Sequence, residues 1–101
     1  MASPRFRVTW AETAIADLLE ATAFIRREQP AAAQRLHAET GRLTRLLRTH
    51  PKLGRVVPEF ANSFLRELVV SPYRVIYRIL PQQRSIEVLA VVHSARRVPG
   101  A

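Results

Sequence analysis

The last third of the chain reads Phe64-Leu-Arg-Glu-Leu-Val-Val-Ser-Pro-Tyr-Arg-Val-Ile-Tyr-Arg-Ile-Leu80 and then, after a short break, Ile86-Glu-Val-Leu-Ala-Val-Val-His-Ser-Ala-Arg-Arg97. Runs so rich in valine, isoleucine and tyrosine are typical of strands in a half-buried sheet. Breaks at 71–72 and 81–84 divide them into three strands, close enough along the chain to pair as an antiparallel meander. Five arginines lie in or just beyond these strands: Arg66, Arg74, Arg78, Arg96 and Arg97. We therefore expect the sheet to present cations to an anionic partner.

The composition points to the same kind of partner. The chain has 101 residues, which predicts one domain spanning 1–101. It carries 16 Lys+Arg against 8 Asp+Glu, a formal net charge of +8, and every one of these cations except Lys52 is an arginine. Guanidinium groups make planar, bidentate contacts with phosphate and carboxylate. Nucleic acid or an acidic protein is the natural partner, although charge alone also allows a solvated basic surface without a binding role.

The sequence disfavours several functional classes. There is no cysteine, and His37, His50 and His93 are not spaced as zinc ligands, so we expect neither a metal nor a cofactor. No stretch approaches the roughly 18 apolar residues of a membrane helix, and the first residues lack an apolar signal region. These features predict a cytoplasmic protein without membrane contact.

The N-terminal half predicts a strand and a helical hairpin. Residues 5–10 alternate like a short strand, and Thr9-Trp-Ala-Glu12 offers a capping box for a helix that ends near Glu28. Pro30 suits the first turn of a second helix, which Pro51 ends. The two helices, roughly 18 and 20 residues long by their periodicity, must fold back on each other because the connection between them is so short.

The remaining segment, 51–63, lacks periodicity and is predicted to be a connecting loop. The predicted fold is therefore α+β: an N-terminal strand, an α-helical hairpin and a three-stranded antiparallel meander. The apolar side of the hairpin needs a sheet to cover it, and the meander supplies one.

The order of these elements, together with three sequence motifs, resembles that of the RelE/ParE superfamily of toxins. The motifs are Ser71-Pro-Tyr-Arg-Val-Ile-Tyr-Arg78, the final strand Leu89-Ala-Val-Val-His-Ser-Ala-Arg-Arg97, and the loop entry His50-Pro-Lys-Leu-Gly54. The resemblance covers nearly the whole chain. It implies the toxin of a type II toxin-antitoxin system, silenced by a small, acidic, partly disordered antitoxin that wraps around it. A homodimer and a hetero-oligomer with the antitoxin both remain open.

RelE-like members of this superfamily are ribonucleases that cut messenger RNA on the ribosome. Attack by a 2′-hydroxyl needs a base, an acid for the leaving oxygen, and cations that stabilise the charged phosphorane. In this chain Arg74 matches the arginine of the family's Tyr-Arg pair and is the first candidate for phosphate stabilisation. The remaining catalytic candidates are Arg66, Arg96 or Arg97, and His93 or Tyr77.

The sequence departs from the RelE-like pattern at two places. RelE-like enzymes carry lysines in the second strand, where this chain has Leu65-Arg-Glu67, and an acid near the C-terminus, where only Val98-Pro-Gly-Ala101 follows. ParE-like members, which the resemblance implies poison DNA gyrase, lack that catalytic set and have a comparably long hairpin. We therefore favour the ParE-like interpretation. The predicted target-binding residues are Arg66, Arg74, Arg78, His93, Arg96 and Arg97.

Two alternatives stay open from the residues themselves. The chain could be a basic module that grips RNA or DNA without a toxin role. The strand arginines Arg74 and Arg78 could also form cross-strand ion pairs with Glu67 and Glu87 instead of contacting a ligand. Strict alternation along the last strand predicts that four apolar residues share one face of the sheet: Ile86, Val88, Ala90 and Val92. His93 falls on the other face by the same alternation, so we expect it to be exposed.

Overall fold

A computed structural model of the protein describes residues 5–96 and 98. The elements are β1 (Arg7–Trp10), α1 (Glu12–Arg26), α2 (Pro30–Leu46), β2 (Arg55–Val56), β3 (Leu65–Val70), β4 (Tyr73–Leu80), a 3-10 turn (Pro81–Gln83) and β5 (Ser85–His93). The predicted α+β order of strand, helical hairpin and meander is confirmed. In the part of the chain described, neither helix combines the length and the apolar character that crossing a membrane requires.

The five strands form one sheet in the order β1-β5-β4-β3-β2. The last three long strands pair antiparallel with their neighbours, as predicted. β1 joins in parallel beside β5 and forms one edge of the sheet. This parallel pairing places the first strand of the chain beside the last one, and nothing in the local pattern of residues 5–10 could predict it.

Three local predictions were wrong. The predicted loop 51–63 contains the short strand β2, which pairs with β3. The helices have 15 and 17 residues, fewer than predicted. The capping box is absent: Ala11 is the N-cap of α1 and no side chain caps it, because Thr9 still belongs to β1 and its hydroxyl donates to the Ile86 carbonyl at 3.4 Å.

Both faces of the sheet are covered, which explains the nearly continuous apolar runs in β3, β4 and β5. The helices pack on one face, over a core whose most buried members are Ala14, Leu47, Val75, Tyr77, Ile86 and Val88. A smaller cluster on the opposite face consists of Val57, Ile76 and Val98, with Phe60, Leu65, Ala90 and Val92 partly buried around it. Residues of the 51–63 segment and the C-terminal segment therefore cover that second face.

A β-bulge in β5 changes which residues face the helices. Ile76 pairs with Ala90 whereas the next residue, Tyr77, pairs with Val88, so Leu89 is the extra residue. Side chains beyond Leu89 consequently point to the opposite face from the one that strict alternation predicts. The prediction that Ala90 and Val92 share a face with Ile86 and Val88 was wrong, because the bulge places them in the smaller cluster.

Candidate functional site

Arg74 is the buried centre of an ion-pair cluster on the sheet face opposite the helices. It is only 6% exposed. Its two terminal nitrogens donate to both carboxylate oxygens of Glu59 at 3.0 and 2.8 Å and to Oε1 of Glu67 at 2.9 Å. Nη2 also donates to the Arg96 carbonyl at 2.9 Å. Arg55 completes the cluster, because its Nε donates to the second oxygen of Glu67 at 2.6 Å.

The charges within this Arg74 cluster (Arg55, Glu59, Glu67 and Arg74) balance: two guanidinium groups face two carboxylates. The hydrogen bonds from Arg74, together with the Val98 N–H that donates to Glu59 at 3.0 Å, lower the pKa of the Glu59 carboxyl to about 2. The same carboxylates raise the pKa of Arg74. A phosphate could reach Arg74 only by displacing a carboxylate from it. The geometry therefore favours the structural interpretation of Arg74, in which it holds the loop of Glu59 and the segment at Val98 against the sheet.

Tyr77 has a comparable structural position on the helix-facing side. Its side chain is fully buried, and burial raises the pKa of its phenol. The hydroxyl donates to the Pro51 carbonyl at 2.7 Å and accepts the Gly54 N–H at 2.9 Å. This anchor explains the glycine, because a Cβ at position 54 would lie 2.4 Å from the carbonyl oxygen of Glu67.

Arg66 ties down both ends of the same loop. Its Nη1 donates to the Gly54 carbonyl and its Nε to the Ser63 carbonyl, each at 2.9 Å. The side chain is half-buried. Tyr77, Gly54 and Arg66 thus fix the 51–63 segment, and the loop motif starting at His50 reflects this anchoring.

Arg78, His93 and Arg96 are the predicted site residues whose side chains are exposed. Arg78 pairs with Glu87 across strands at 2.7 Å, as one of the alternatives predicted. His93 lies edge-on to Tyr73, with 5.5 Å between ring centroids, and its Nδ1 accepts the Ala95 N–H at 3.1 Å. That bond places the proton of a neutral His93 on Nε2. The sixth predicted residue, Arg97, lies outside the described residues.

The predicted residues do not converge on one pocket. Tyr77 pairs with Val88 and His93 with Tyr73, four residues along β4, so the two acid–base candidates are separated by roughly 13 Å. The two residues are alternatives for one acid–base group, and that group must lie within hydrogen-bond reach of the reacting atoms. Among residues 5–96 and 98, no group of three or more histidine, cysteine, aspartate or glutamate side chains is placed to hold a metal ion.

The structure contains a second basic region, which was not predicted from the sequence and which we call the β1 cleft. It has a volume of about 470 Å³ and lies between β1 and the C-terminal half of α2. Its lining residues are Arg5, Phe6, Arg7, Val8, Trp10, Thr44, Arg45 and Arg48. In the described part of the chain none of its four arginines forms an ion pair. The helical period places Arg45 and Arg48 away from the leucines of α2, but only the tertiary structure brings them to β1.

A family model described as ParE toxin of type II toxin-antitoxin system, parDE, matches residues 8–98. The chain belongs to this toxin family. A curated relative, named "Putative toxin Y4kP" and from Sinorhizobium fredii, is 36% identical over 97 residues, with 94% of this chain and 95% of that protein covered. The resemblance to the RelE/ParE superfamily is thereby confirmed, and the ParE family is the member that matches.

Solved structures share the fold at low sequence identity. A chain of the chromosomal ParDE toxin-antitoxin system from P. aeruginosa superimposes with a TM-score of 0.69 and 18% identity, covering 90% of this chain and 98% of that one. The RelBE2 toxin-antitoxin complex from Mycobacterium tuberculosis gives 0.61 and 20%, covering 88% and 98%. The RelE-RelB complex from Pyrococcus horikoshii OT3 gives 0.60 and 17%, covering 92% and 99%. At these identities the similarity shows the fold alone.

Proposed function

We propose that this ParE-family toxin arrests growth by binding and poisoning DNA gyrase, without catalysing RNA cleavage, and that an acidic antitoxin neutralises it. The observation that carries the mechanism is the placement of the predicted catalytic groups. Arg74 is held by two carboxylates, and the Tyr77 hydroxyl is buried with both of its hydrogen bonds made inside the fold.

Ribonuclease chemistry needs groups that are free to act on a substrate. A general acid must reach the leaving oxygen, and a cation must face the phosphorane as its charge develops. Within the described residues His93 is exposed, but the other acid–base candidate, Tyr77, is buried about four residues further along the sheet. The positions of Tyr77 and Arg74 support inhibition by binding over catalysis.

Within the described residues, the members of the predicted set that are left exposed to a target are Arg78, His93 and Arg96, which do not form one continuous site. Arg78 is half-exposed and its ion pair with Glu87 lies at the surface, where such pairs contribute little and are readily exchanged. These side chains could contact gyrase or DNA without any loss of buried interactions.

The antitoxin part of the proposal is supported by charge and by similarity. The similar structures from P. aeruginosa, M. tuberculosis and P. horikoshii all come from toxin-antitoxin systems. A chain with a net charge of +8 also favours an acidic partner.

The test is to induce the chain alone in a bacterial host while following growth, transcript integrity and the breakage and supercoiling of a reporter plasmid. We expect growth arrest with plasmid breaks and intact transcripts. Arg78→Ala and Arg96→Ala should weaken both effects, whereas Arg42→Ala removes the same charge from an exposed position on α2 and should not. Circular dichroism of the variants checks that each is folded. Ribosome-dependent transcript cutting would contradict the mechanism.

A further inference from the structure

A pocket lies where β4 ends, beside the turn 51–53 that follows α2. It has a volume of about 530 Å³, which falls within the roughly 300–1,000 Å³ of typical small-molecule sites. We call it the Phe64 pocket. Among its described lining residues, Phe6 alone also lines the β1 cleft. The lining residues are Phe6, His50, Pro51, Lys52, Leu53, Phe64, Ile79 and Pro81.

The walls of the Phe64 pocket are apolar and held by the fold. Ile79 is only 5% exposed and belongs to the main core, whereas Phe64 is 47% and Leu53 44% exposed. Two large apolar side chains so exposed beside each other are unusual on a protein surface. The Pro51 carbonyl accepts the Tyr77 hydroxyl at 2.7 Å, which fixes the turn that forms one wall. The pocket is therefore formed before a ligand enters, so binding costs little ordering.

The polar side chains of the pocket select the charge of its ligand. Six of the eight lining residues are apolar, and the other two are His50 and Lys52. No acidic residue is among them. Lys52 is the single lysine of the chain, is exposed, and forms no ion pair within residues 5–96 and 98. The polar end of a complementary ligand is therefore an anion.

The main chain around the pocket offers almost nothing to an added strand. Pro51 and Pro81 have no N–H. In the part of the chain that the structure describes, Lys52 has the one lining N–H without an internal acceptor. The other five donate inside the fold: Phe6 to Arg48 O at 2.8 Å, His50 to Leu46 O at 2.9 Å, Leu53 to His50 O at 3.0 Å, Phe64 to Asn62 Oδ1 at 2.9 Å and Ile79 to Phe64 O at 2.8 Å. Recognition must therefore use the apolar walls and the cation.

We propose that the Phe64 pocket binds a small monocarboxylic acid with an aromatic body. The ring of the ligand packs between Phe6 and Phe64 over Ile79, because aromatic rings pair favourably with one another. Its carboxylate pairs with Lys52, whose ammonium is a point charge suited to a single anion. The proposal goes beyond the proposed function and does not depend on it, since binding is a property of the isolated chain.

Three other occupants fit the same observations less well. An extended protein segment would find one free N–H and no strand edge in the pocket. A second copy of this chain would bring another Lys52 and another net charge of +8 to the same place. A nucleic acid would meet one lysine and mostly apolar walls, where its phosphates need several cations. Each of these occupants is a separate outcome of the test.

The test is an NMR titration of the full chain, made by cell-free synthesis with ¹⁵N and then ¹³C-methylated on its amines. Methylation keeps the positive charge of Lys52, and the single lysine gives one side-chain signal. The ligands are hydrocinnamate and its neutral amide, hydrocinnamide. We expect hydrocinnamate to shift the Lys52 methyl signal and the amides of Phe64 and Ile79. It should bind at least about threefold more tightly than hydrocinnamide.

Two variants test the wall and the cation separately, each with a matched control. Phe64→Ala should bind hydrocinnamate at least about threefold more weakly, whereas Phe24→Ala removes an exposed ring from α1 and should bind within about twofold of the parent chain. Lys52→Glu, followed by its ¹⁵N amides, should lose at least about fivefold for hydrocinnamate but keep its affinity for hydrocinnamide. Arg26→Glu makes the same charge change at the far end of α1 and should leave both affinities unchanged. Circular dichroism checks the fold of each variant.

Several results would overturn the proposal. Equal binding of the acid and the amide would remove the role of Lys52, and shifts confined to other residues would reject the pocket. Concentration-dependent shifts of Phe64 and Ile79 without ligand would assign the pocket to a second copy of the chain. Tighter binding of an acidic ten-residue peptide or of a thymidine decamer at the same residues would assign it to a macromolecule. The plasmid and transcript readouts of the proposed function are independent of every one of these results.

Discussion

The Arg74 cluster and the β1 cleft use the same side chain in opposite ways. In the cluster, two guanidinium groups are matched by two carboxylates, and Arg74 is buried. In the cleft, four arginines surround an open strand and none is paired within residues 5–96 and 98. Arginine in a basic protein is therefore not evidence of a binding site by itself. An arginine is a candidate for binding a partner when it does not already form an ion pair with a carboxylate of its own chain.

The Arg74 cluster is tested most strongly by removing one of its anions. Glu67→Ala should lower the free energy of unfolding by about 3–5 kcal/mol, because Arg74 would be left buried with one partner fewer. Urea unfolding followed by circular dichroism measures the change. The matched control is Glu87→Ala, which removes the surface partner of Arg78 and should cost under about 1 kcal/mol. Equal losses in the two variants would remove the distinction between buried and exposed strand arginines.

A second variant tests the loop that the cluster and Tyr77 hold. Gly54→Ala should cost about 1–3 kcal/mol, because the added Cβ meets the main chain of Glu67, which cannot move without disturbing β3. Gly41→Ala is the control, since its Cβ would meet only the mobile end of Arg45, at 3.5 Å, and alanine favours a helix. The midpoint temperature of thermal unfolding should be lower for Gly54→Ala than for the parent chain. For Gly41→Ala it should equal that of the parent chain or exceed it. A neutral Gly54→Ala would show that the loop is not anchored as described.

The pH dependence of stability tests the ion pair between Glu59 and Arg74. The pKa of Glu59 is lowered from 4.5 to about 2 in the folded chain. Its carboxylate therefore contributes fully to the free energy of unfolding above about pH 4.5, and this contribution is lost as the pH falls towards 2. Urea unfolding at several pH values measures this. As the pH falls, the free energy of unfolding should decrease more steeply for the parent chain than for Glu59→Gln, whose amide does not titrate. Parallel pH profiles for the two chains would contradict the assigned ion pair.

Removing an arginine of the β1 cleft should change the stability of the chain least. Arg45→Ala and Arg48→Ala should change the free energy of unfolding by no more than about 0.5 kcal/mol, because no anion in the described chain depends on them. Chemical unfolding at low and at 0.5 M salt measures this, since an unrecognised ion pair would make the cost depend on salt. A loss of unfolding free energy comparable with that of Glu67→Ala would show that these arginines stabilise the fold instead of lying at a free surface.

The helices and long strands could be predicted from the sequence, whereas the residues with which individual side chains pair could be predicted only in part. β3, β4 and β5 follow directly from runs of valine and isoleucine broken by Pro72 and Pro81, and the hairpin follows from its period and from Pro30. The acidic residue that binds Arg74 most extensively is Glu59, which lies in a loop without periodicity. Only the fold of that loop over the second face of the sheet brings the two together.

The remaining errors have local physical causes. The bulge at Leu89 has no glycine or proline to signal it, yet it changes the face of every later residue in β5. The capping box failed because pairing with β5 holds Thr9 in the sheet. The β1 cleft could not be predicted because its arginines come from two segments, 5–7 and 45–48, which only the tertiary structure brings together.

The most direct measurement of the contrast is the rate at which each arginine of the native chain reacts with phenylglyoxal, followed by peptide mass spectrometry. We expect rapid modification of Arg5, Arg7, Arg45 and Arg48 and slow modification of Arg74, whose guanidinium is buried and paired. In urea, Arg74 should become as reactive as the others. Modification of Arg74 at the same rate as the cleft arginines in the native chain would show that its ion pairs and burial are not as described.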